Sequence, residues 1–440
     1  MSDRLALLGG RRVVDQALKV RWPIVTEADR AAVARVLEQG PLWAVSTDDG
    51  LFAPEMTALE REFAEFVGVR HCLACNGGTA AIHMALAAAG VGPGDEVITS
   101  AFSFVATPVA VLHQSAVPIF ADIDARTFNI DPADVERRVT SRTRAILPVH
   151  IHGVPAEMDA INAIAERCGL VVIEDACQAP GARYKGRRAG ALAPMAAFSL
   201  NGTKNLAAGE GGLFVTRDDT FRARANMVRM VGETLPSSDR TMEFQHLVAW
   251  NYRAQEMPSA IARSQLRRLD AFNAQARANG ELLTRRLASV PGLEPPYVPP
   301  HCESIYHKYR VRLRPDDLDL PLRGAAFRDL VQAALTAEGV DAVTWTGGSP
   351  LPAHPIFQRR EGFGGGYPWT VAHREYRYRV DEYPETRRLV DGSLVICSEL
   401  NPIYCQPVQL IEQYAAAIVK VFSQREALLV AAGRPVVNQR

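Results

Sequence analysis

Between residues 69 and 216 the sequence alternates short runs of β-branched and apolar residues with longer stretches whose apolar residues recur at helical spacing. This alternation is typical of an α/β domain built around a mostly parallel sheet. The predicted strands cover residues 69–74, 96–99, 117–121, 144–149, 170–174, 196–200 and 212–216, and helices are predicted over 79–89 and 158–168. The carboxyl edge of such a sheet is the usual place for a ligand site.

The second half of the chain has a different pattern. A long helical stretch over 259–287 is followed by predicted strands at 309–313 and 394–396 and predicted helices at 324–338 and 407–422. The glycines and prolines of 347–367 predict a long loop, and 361–388 has no counterpart that we can assign. We therefore predict an N-terminal segment (1–30), a large α/β domain (31–270) and a small C-terminal α+β domain (271–440).

Charge and cysteine content narrow the classes of function. Lys plus Arg equals Asp plus Glu at 49 each, so no net field attracts nucleic acid or an anionic membrane. Seven cysteines, an odd number scattered through a long chain, favour free thiols in a reducing compartment. The first twenty residues carry charges throughout and resemble no signal peptide. We expect a cytoplasmic protein that binds neither nucleic acid nor membrane.

Four features follow predicted strands at the same edge of the sheet. Lys204 lies in the glycine-rich sequence FSLNGTKNLAAGEGG (198–212), and Asp175 ends the apolar run LVVIED. The turn NGGT (76–79) precedes a helix, where glycines and a hydroxyl group suit an anion. Phe102 and Phe104 follow the strand that ends near residue 99.

Each feature alone has a simpler interpretation: a surface lysine, a helix cap, a capped turn and core aromatics. Together they provide an anion cradle, an aromatic plate, a carboxylate and a lysine on successive strand ends. That set of groups is what pyridoxal phosphate (PLP) requires. Cys72 lies in the predicted strand 69–74 and Cys75 comes directly after it, so strand alternation points the two thiols to opposite faces. His150 and His152 have no third ligand nearby, and we therefore expect no metal.

The motifs that carry these groups also resemble a known family. GDEVI (94–98), PVHIHG (148–153), EDACQAPG (174–181), the lysine followed by EGG (210–212), and NYR (251–253) occur in the order of the DegT/DnrJ/StrS sugar and aminocyclitol aminotransferases. The resemblance runs from residue 5 to at least 262. It implies the α/β fold of fold-type I PLP-dependent transferases, with a mostly parallel central sheet in the large domain and a smaller C-terminal α+β domain.

The resemblance also implies roles for individual residues. Lys204 matches the lysine that attaches covalently to PLP, and Asp175 matches the carboxylate that pairs with the pyridine nitrogen. Gly78, Thr79 and Ser199 match residues that contact the phosphate of PLP. Phe104 matches the aromatic residue that stacks on the cofactor ring, and Gln178 matches the residue beside the ring hydroxyl. Asn251 and Arg253 match residues that reach into the active site of the neighbouring subunit. A homodimer with shared active sites follows from this resemblance. We also predict that His150 lines the cofactor site and that His150 and Trp250 contact the substrate.

The implied reaction is transfer of an amino group from L-glutamate or L-glutamine to a keto-cyclitol or keto-sugar, as in amino-sugar, aminocyclitol and antibiotic biosynthesis. The start LALLGG (5–10) favours aminocyclitol acceptors. Two alternatives stay open. One is a PLP-binding regulator without turnover, although no DNA-binding appendage is evident. The other is a dehydratase-type PLP enzyme, which Lys204 disfavours because relatives with that chemistry carry histidine at this position.

Overall fold

The structure is a computed structural model that describes residues 4–40, 42, 53–234, 243–244, 248–318, 320, 322–372, 374–424, 427–428, 430 and 433. Its α-helices are α1 (Glu27–Gln39), α2 (Pro54–Val67), α3 (Gly78–Ala88), α4 (Ala106–His113), α5 (Pro132–Arg138), α6 (Met158–Cys168), α7 (Asp219–Arg229), α8 (Glu256–Leu287), α9 (Gly324–Glu338), α10 (Pro355–Arg359), α11 (Pro384–Asp391) and α12 (Val408–Ser423). The strands are β1 (His71–Cys75), β2 (Glu96–Ser100), β3 (Val117–Ala121), β4 (Thr143–Leu147), β5 (Val171–Asp175), β6 (Arg183–Tyr184), β7 (Arg187–Arg188), β8 (Met195–Ser199), β9 (Gly212–Thr216), β10 (Glu233–Thr234), β11 (Glu243–Phe244), β12 (Leu293–Glu294), β13 (Cys302–Glu303), β14 (Tyr309–Leu313), β15 (Ala342–Val343) and β16 (Ser393–Ile396).

The central sheet has the strand order β1-β9-β8-β5-β4-β2-β3. Only β9 runs antiparallel to its neighbours, and the other pairs are parallel. Helices cover both faces, which is why the strands are nearly continuous apolar runs without polar alternation. All seven strands predicted for this region are present, so the predicted α/β class is confirmed.

The register of this sheet brings distant sequence positions to one edge. Gly212 of β9 lies opposite Cys75 on one side and Ser199 on the other. A Cβ atom at position 212 would lie 2.3 Å from the carbonyl oxygen of Gly77. Glycine at 212 therefore lets the turn before α3 pack directly against the end of the sheet.

A second sheet, β12-β14-β16-β15, packs with α9 and α12 around a separate core in the C-terminal half. The N-terminal segment joins this core through Leu5, Leu8 and Trp22. Helix α8 is continuous across residue 270 and packs against α1, α2 and α12. The predicted boundaries at 30 and 270 lie within α1 and α8, and they stay predictions.

The segment after β15 is more structured than the predicted loop over 347–367. It contains α10 and packs Trp369, Tyr376 and Tyr378 onto the central sheet, where Phe120 of β3 contacts the ring of Tyr378 at a centroid distance of 5.4 Å. The Tyr378 hydroxyl donates to the carbonyl of Pro118 at 2.9 Å. Within the predicted long loop the structure has the short helix α10, and the aromatic side chains that follow the loop cover the edge strand β3.

All seven cysteines are free thiols. Among the helices that the structure describes, none is both long enough and apolar enough to cross a membrane. The described residues also contain no group of three or more potential metal ligands.

Candidate active site

The turn before α3 forms a cradle against the end of β8. Gly77 caps the helix and Gly78 is its first residue. A Cβ at position 78 would lie 2.8 Å from Ser199 Cβ and 3.0 Å from Cys177 Sγ, so only glycine fits here without a shift. Backbone N–H groups at the start of a helix attract anions. Gly78 thus packs against Ser199, with Thr79 next to it in α3, and the phosphate contacts predicted for these three residues stay predictions.

Asp175 ends β5 at the same edge, and its carboxylate is held in place. The side chain is buried, with 3% of the residue exposed. Thr107 Oγ1 donates to Asp175 Oδ2 at 2.7 Å, and the Cys177 backbone N–H donates to Oδ1 at 3.2 Å. Thr107 was not among the predicted site residues, although it lies only three positions after Phe104. The threonine on α4 thereby fixes the orientation of the Asp175 carboxylate.

The neighbouring Glu174 has a different environment. It is fully buried and accepts hydrogen bonds from the backbone N–H groups of Gly190, Leu192 and Ala193 at 2.6–2.8 Å. His150 Nε2 donates to the same carboxylate at 2.9 Å, while its Nδ1 accepts from the Ala156 N–H at 3.1 Å.

This network corrects the expectation for His150. The ring is fully buried and both of its nitrogens are bonded within the protein. His150 therefore has no polar atom left for a cofactor or substrate, and its contacts support the loop after β4.

Lys204 lies in a loop that is anchored on both sides. Thr203 accepts a hydrogen bond at its carbonyl from the Tyr404 hydroxyl at 3.0 Å. Asn205 is buried and donates to the side-chain oxygen of Asn273 at 3.2 Å. The Lys204 side chain is partly exposed, and within the described part of the chain no hydrogen bond or ion pair holds it. The loop thus fixes the backbone and leaves the amine available.

Phe104 and Gln178 complete the predicted cofactor contacts from this chain. Phe104 is 55% exposed, which leaves its ring free to stack on a flat ligand. Gln178 is buried, and its Oε1 accepts the backbone N–H of His152 at 2.9 Å. Both follow strands that end at the same edge as Asp175, and their contacts with a cofactor stay predictions.

The NYR segment lies beside the cradle of its own chain. Arg253 forms a β-bridge with Cys75, and Tyr252 accepts a hydrogen bond at its carbonyl from the Asn76 N–H at 3.0 Å. Asn251 is exposed and Trp250 packs against His83 at a ring-centroid distance of 4.4 Å. The roles predicted for Asn251, Arg253 and Trp250 remain untested by this arrangement.

Comparison with known proteins decides the family. The model of the DegT/DnrJ/EryC1/StrS aminotransferase family matches residues 27–373. The chain belongs to this family. It is 41% identical over 305 residues to a pleiotropic regulatory protein of Geobacillus stearothermophilus, covering 68% of this chain and 76% of that protein. It is 39% identical over 324 residues to an L-glutamine:2-deoxy-scyllo-inosose aminotransferase of Streptomyces lividus, covering 71% of this chain and 75% of the relative.

The crystal structure of 3-amino-5-hydroxybenzoic acid synthase matches with a TM-score of 0.80 at 29% identity, over 92% of this chain and 99% of that chain. The predicted fold-type I architecture is thereby confirmed. This aminotransferase depends on PLP, as its family does. The residues fit that cofactor, because the glycine cradle offers N–H groups to a phosphate, Asp175 offers an oriented carboxylate and Lys204 offers an unpaired amine.

Proposed function

We propose that this aminotransferase transfers the amino group of L-glutamine or L-glutamate to a keto-cyclitol, with keto-sugars as the alternative acceptors. The observation that carries the proposal is the convergence of three groups on one sheet edge: the Gly78 cradle against Ser199, the Asp175 carboxylate held by Thr107, and the anchored loop of Lys204. These are the groups that hold PLP and move protons in transamination.

Bound PLP would supply an electron-accepting ring, and the side chains of this chain would do the rest. Lys204 would hold the cofactor covalently and, once its amine is free, carry a proton to and from the carbon that bears the donor's amino group. Asp175 would keep a proton on the ring nitrogen by a charge-assisted hydrogen bond. Thr107 would keep the Asp175 carboxylate in that orientation.

The choice of acceptor is supported by the relative named as a 2-deoxy-scyllo-inosose aminotransferase, whose name also specifies L-glutamine as donor. A keto-cyclitol is uncharged and rich in hydroxyl groups, so its recognition needs hydrogen-bond partners at the rim of the site. Trp250 is our candidate for such a rim position.

We further propose a homodimer in which Asn251 and Arg253 complete the phosphate site of the partner subunit. An arginine would add a charge-assisted hydrogen bond to an anion that the Gly78 cradle already binds through backbone N–H groups. The position of Arg253 beside Cys75 of its own chain is compatible with service to either subunit, so an experiment with mixed subunits must decide.

The test is a two-step absorbance measurement on the purified holoenzyme. L-Glutamine or L-glutamate should convert the PLP spectrum to that of pyridoxamine phosphate, and a keto-cyclitol such as scyllo-inosose should restore it. Lys204→Ala is the control, and neither the amino-acid donor nor the keto-cyclitol should change its cofactor spectrum. A regulator without turnover, which the Geobacillus relative's name suggests, would bind PLP and show no conversion with any donor and acceptor in the panel.

A further inference from the structure

A buried arginine without a counterion lies near the candidate site. Arg310 of β14 is only 2% exposed. Its Nε donates to His152 Nε2 at 2.9 Å and its Nη1 donates to Ser393 Oγ at 2.7 Å. Both partners are neutral, and no carboxylate in the described part of the chain pairs with the guanidinium. Its Nη2 is buried and has no hydrogen-bond partner among the residues that the structure describes.

This charge is costly to bury. Burial and the nearby charge of Arg328 lower the pKa of Arg310 to about 9, yet a guanidinium keeps its proton at neutral pH. The rings of Phe102 and Trp345 lie 5.1 and 6.0 Å from the guanidinium carbon and offset part of the charge. They supply no oxygen for Nη2. A buried cation of this kind needs an anion to be stable.

His152 provides a second unsatisfied donor. Because its Nε2 accepts from Arg310 and burial lowers its pKa, the neutral ring carries its proton on Nδ1. That nitrogen is buried, and no described residue offers it a hydrogen-bond partner. The backbone of His152 has a φ of +56°, in the left-handed region that non-glycine residues rarely adopt, and strained backbones of this kind concentrate at functional sites.

Lys308 adds a second cation two residues before Arg310. It is nearly buried, and its amine contacts the half-exposed Glu399 at 3.2 Å. Burial is the main cause of the lowered pKa of Lys308 and of His152, and the charge of Lys204 contributes to both. His152 also contacts the candidate site directly, because its backbone N–H donates to Gln178 Oε1 at 2.9 Å.

We propose that Arg310, Lys308 and His152, named here the Arg310 cluster, form a carboxylate-binding subsite of the active site. The three side chains line a small cavity of about 10 Å³, roughly enough for one oxygen atom. The inference rests on the proposed function, because the carboxylate belongs either to the amino-acid donor or to an acidic ketone acceptor. A carboxylate oxygen would satisfy the orphaned donors and the excess positive charge together.

Calorimetric titration with glutarate tests the subsite without turnover, because glutarate has carboxylates but no amino group to transfer. The neutral analogue glutaramide is the ligand control. In the holoenzyme, Arg310→Met should weaken glutarate binding roughly 10- to 100-fold and leave any glutaramide binding unchanged. Arg314→Met removes a half-exposed arginine of the same segment, paired with Glu294, and should change neither affinity.

Stability provides a readout that a structural role would move in the opposite direction. Arg310→Met should unfold at the same temperature as the wild type or higher, because it removes a buried cation without a counterion. A large loss of stability with unchanged glutarate affinity would overturn the proposal. If Arg310→Met does not fold, Lys308→Met takes its place, and unchanged glutarate binding in that variant has the same meaning.

Single-turnover kinetics separates the two sources of the carboxylate. A donor carboxylate predicts that Arg310→Met raises the L-glutamate concentration needed for half-maximal conversion of PLP. If the carboxylate belongs to the acceptor, Arg310→Met should slow only the second half-reaction, in which an acidic ketone restores the PLP spectrum. If the wild type converts no amino acid but binds glutarate, and Arg310→Met weakens that binding, the proposed function fails and the subsite is supported. If the wild type converts amino acids and Arg310→Met binds glutarate as tightly as the wild type does, the proposed subsite is wrong. A buried water then satisfies the donors of the Arg310 cluster.

Discussion

Glu174 and Asp175 are adjacent carboxylates at the end of β5, and the structure predicts that they fail in different ways when neutralised. Glu174 is surrounded by hydrogen-bond donors alone, three from backbone and one from His150. Glu174→Gln replaces one carboxylate oxygen with an amide nitrogen, which then faces two of these four donors. Asp175→Asn keeps an oxygen for one of its two donors and keeps the size of the side chain.

The size of the first effect follows from the contacts. Each Glu174 oxygen accepts two hydrogen bonds, so the amide nitrogen of glutamine leaves two buried donors without an acceptor. His150 cannot compensate by moving its proton, because its Nδ1 must accept from Ala156. At about 1.5–3 kcal/mol for each bond to a charged group, Glu174→Gln should cost about 3–6 kcal/mol, a large part of the stability of an ordinary protein.

Urea unfolding of the apoprotein and the PLP half-reaction of the holoprotein measure the two effects. Glu174→Gln should shift the unfolding midpoint strongly and, where it folds, retain the half-reaction. Asp175→Asn should unfold near the wild type and slow the half-reaction by orders of magnitude, because the charge that favours a protonated ring nitrogen is gone. A fast Asp175→Asn enzyme, or a Glu174→Gln protein as stable as the wild type, would refute the division of roles.

Three further predictions concern the cradle, the carboxylate and the dimer. Gly78→Ala should lower PLP affinity roughly 10-fold or more, because its methyl group collides with Ser199 and displaces the start of α3. Thr107→Val should keep PLP bound and slow the half-reaction roughly 10-fold, because a buried donor to the carboxylate is lost. Mixed subunits of Lys204→Ala and Arg253→Ala should recover up to roughly a quarter of full activity if sites are shared.

Each of these has a control in the same chain. Gly92→Ala, whose added methyl group meets no atom within 4 Å, should not alter PLP affinity, and equal losses at positions 78 and 92 would contradict the cradle. Thr107→Ser keeps the hydroxyl group and should show the wild-type rate of the half-reaction. A slow serine variant would contradict a role for the hydroxyl group. If mass spectrometry shows mixed dimers that stay inactive, Arg253 does not serve the partner's site.

The sequence predicted the sheet well because its strands carry an unusually clear signal. A strand buried on both faces is a short apolar run between glycine, proline or aspartate turns, and residues 117–121 and 212–216 were predicted with their observed ends. The candidate site was predictable for the same reason. Asp175 ends such a strand, and Gly78 and Lys204 lie a few residues beyond the ends of β1 and β8. The carboxyl ends of these three strands share one edge of the sheet, which brings the residues to the same side.

Contacts between distant segments were beyond this reasoning. His150 was assigned to the site from its place in the segment PVHIHG (148–153), but the glutamate that engages its ring lies on the adjacent strand. Arg310 could not be singled out from the sequence, where it is one residue of a predicted strand. Only the structure shows that no acidic side chain among the described residues pairs with it. The 347–367 segment looked like a loop because its aromatic anchors come later, at Trp369 and Tyr378.

The most direct test of the account is to find the lysine that holds the cofactor. Purified protein loaded with PLP and reduced with borohydride should carry the phosphopyridoxyl mass on the peptide that contains Lys204, and Lys204→Ala should carry none while still binding PLP reversibly. A label on another lysine, or an equal label in Lys204→Ala, would contradict the assignment of the glycine-rich loop as the catalytic element.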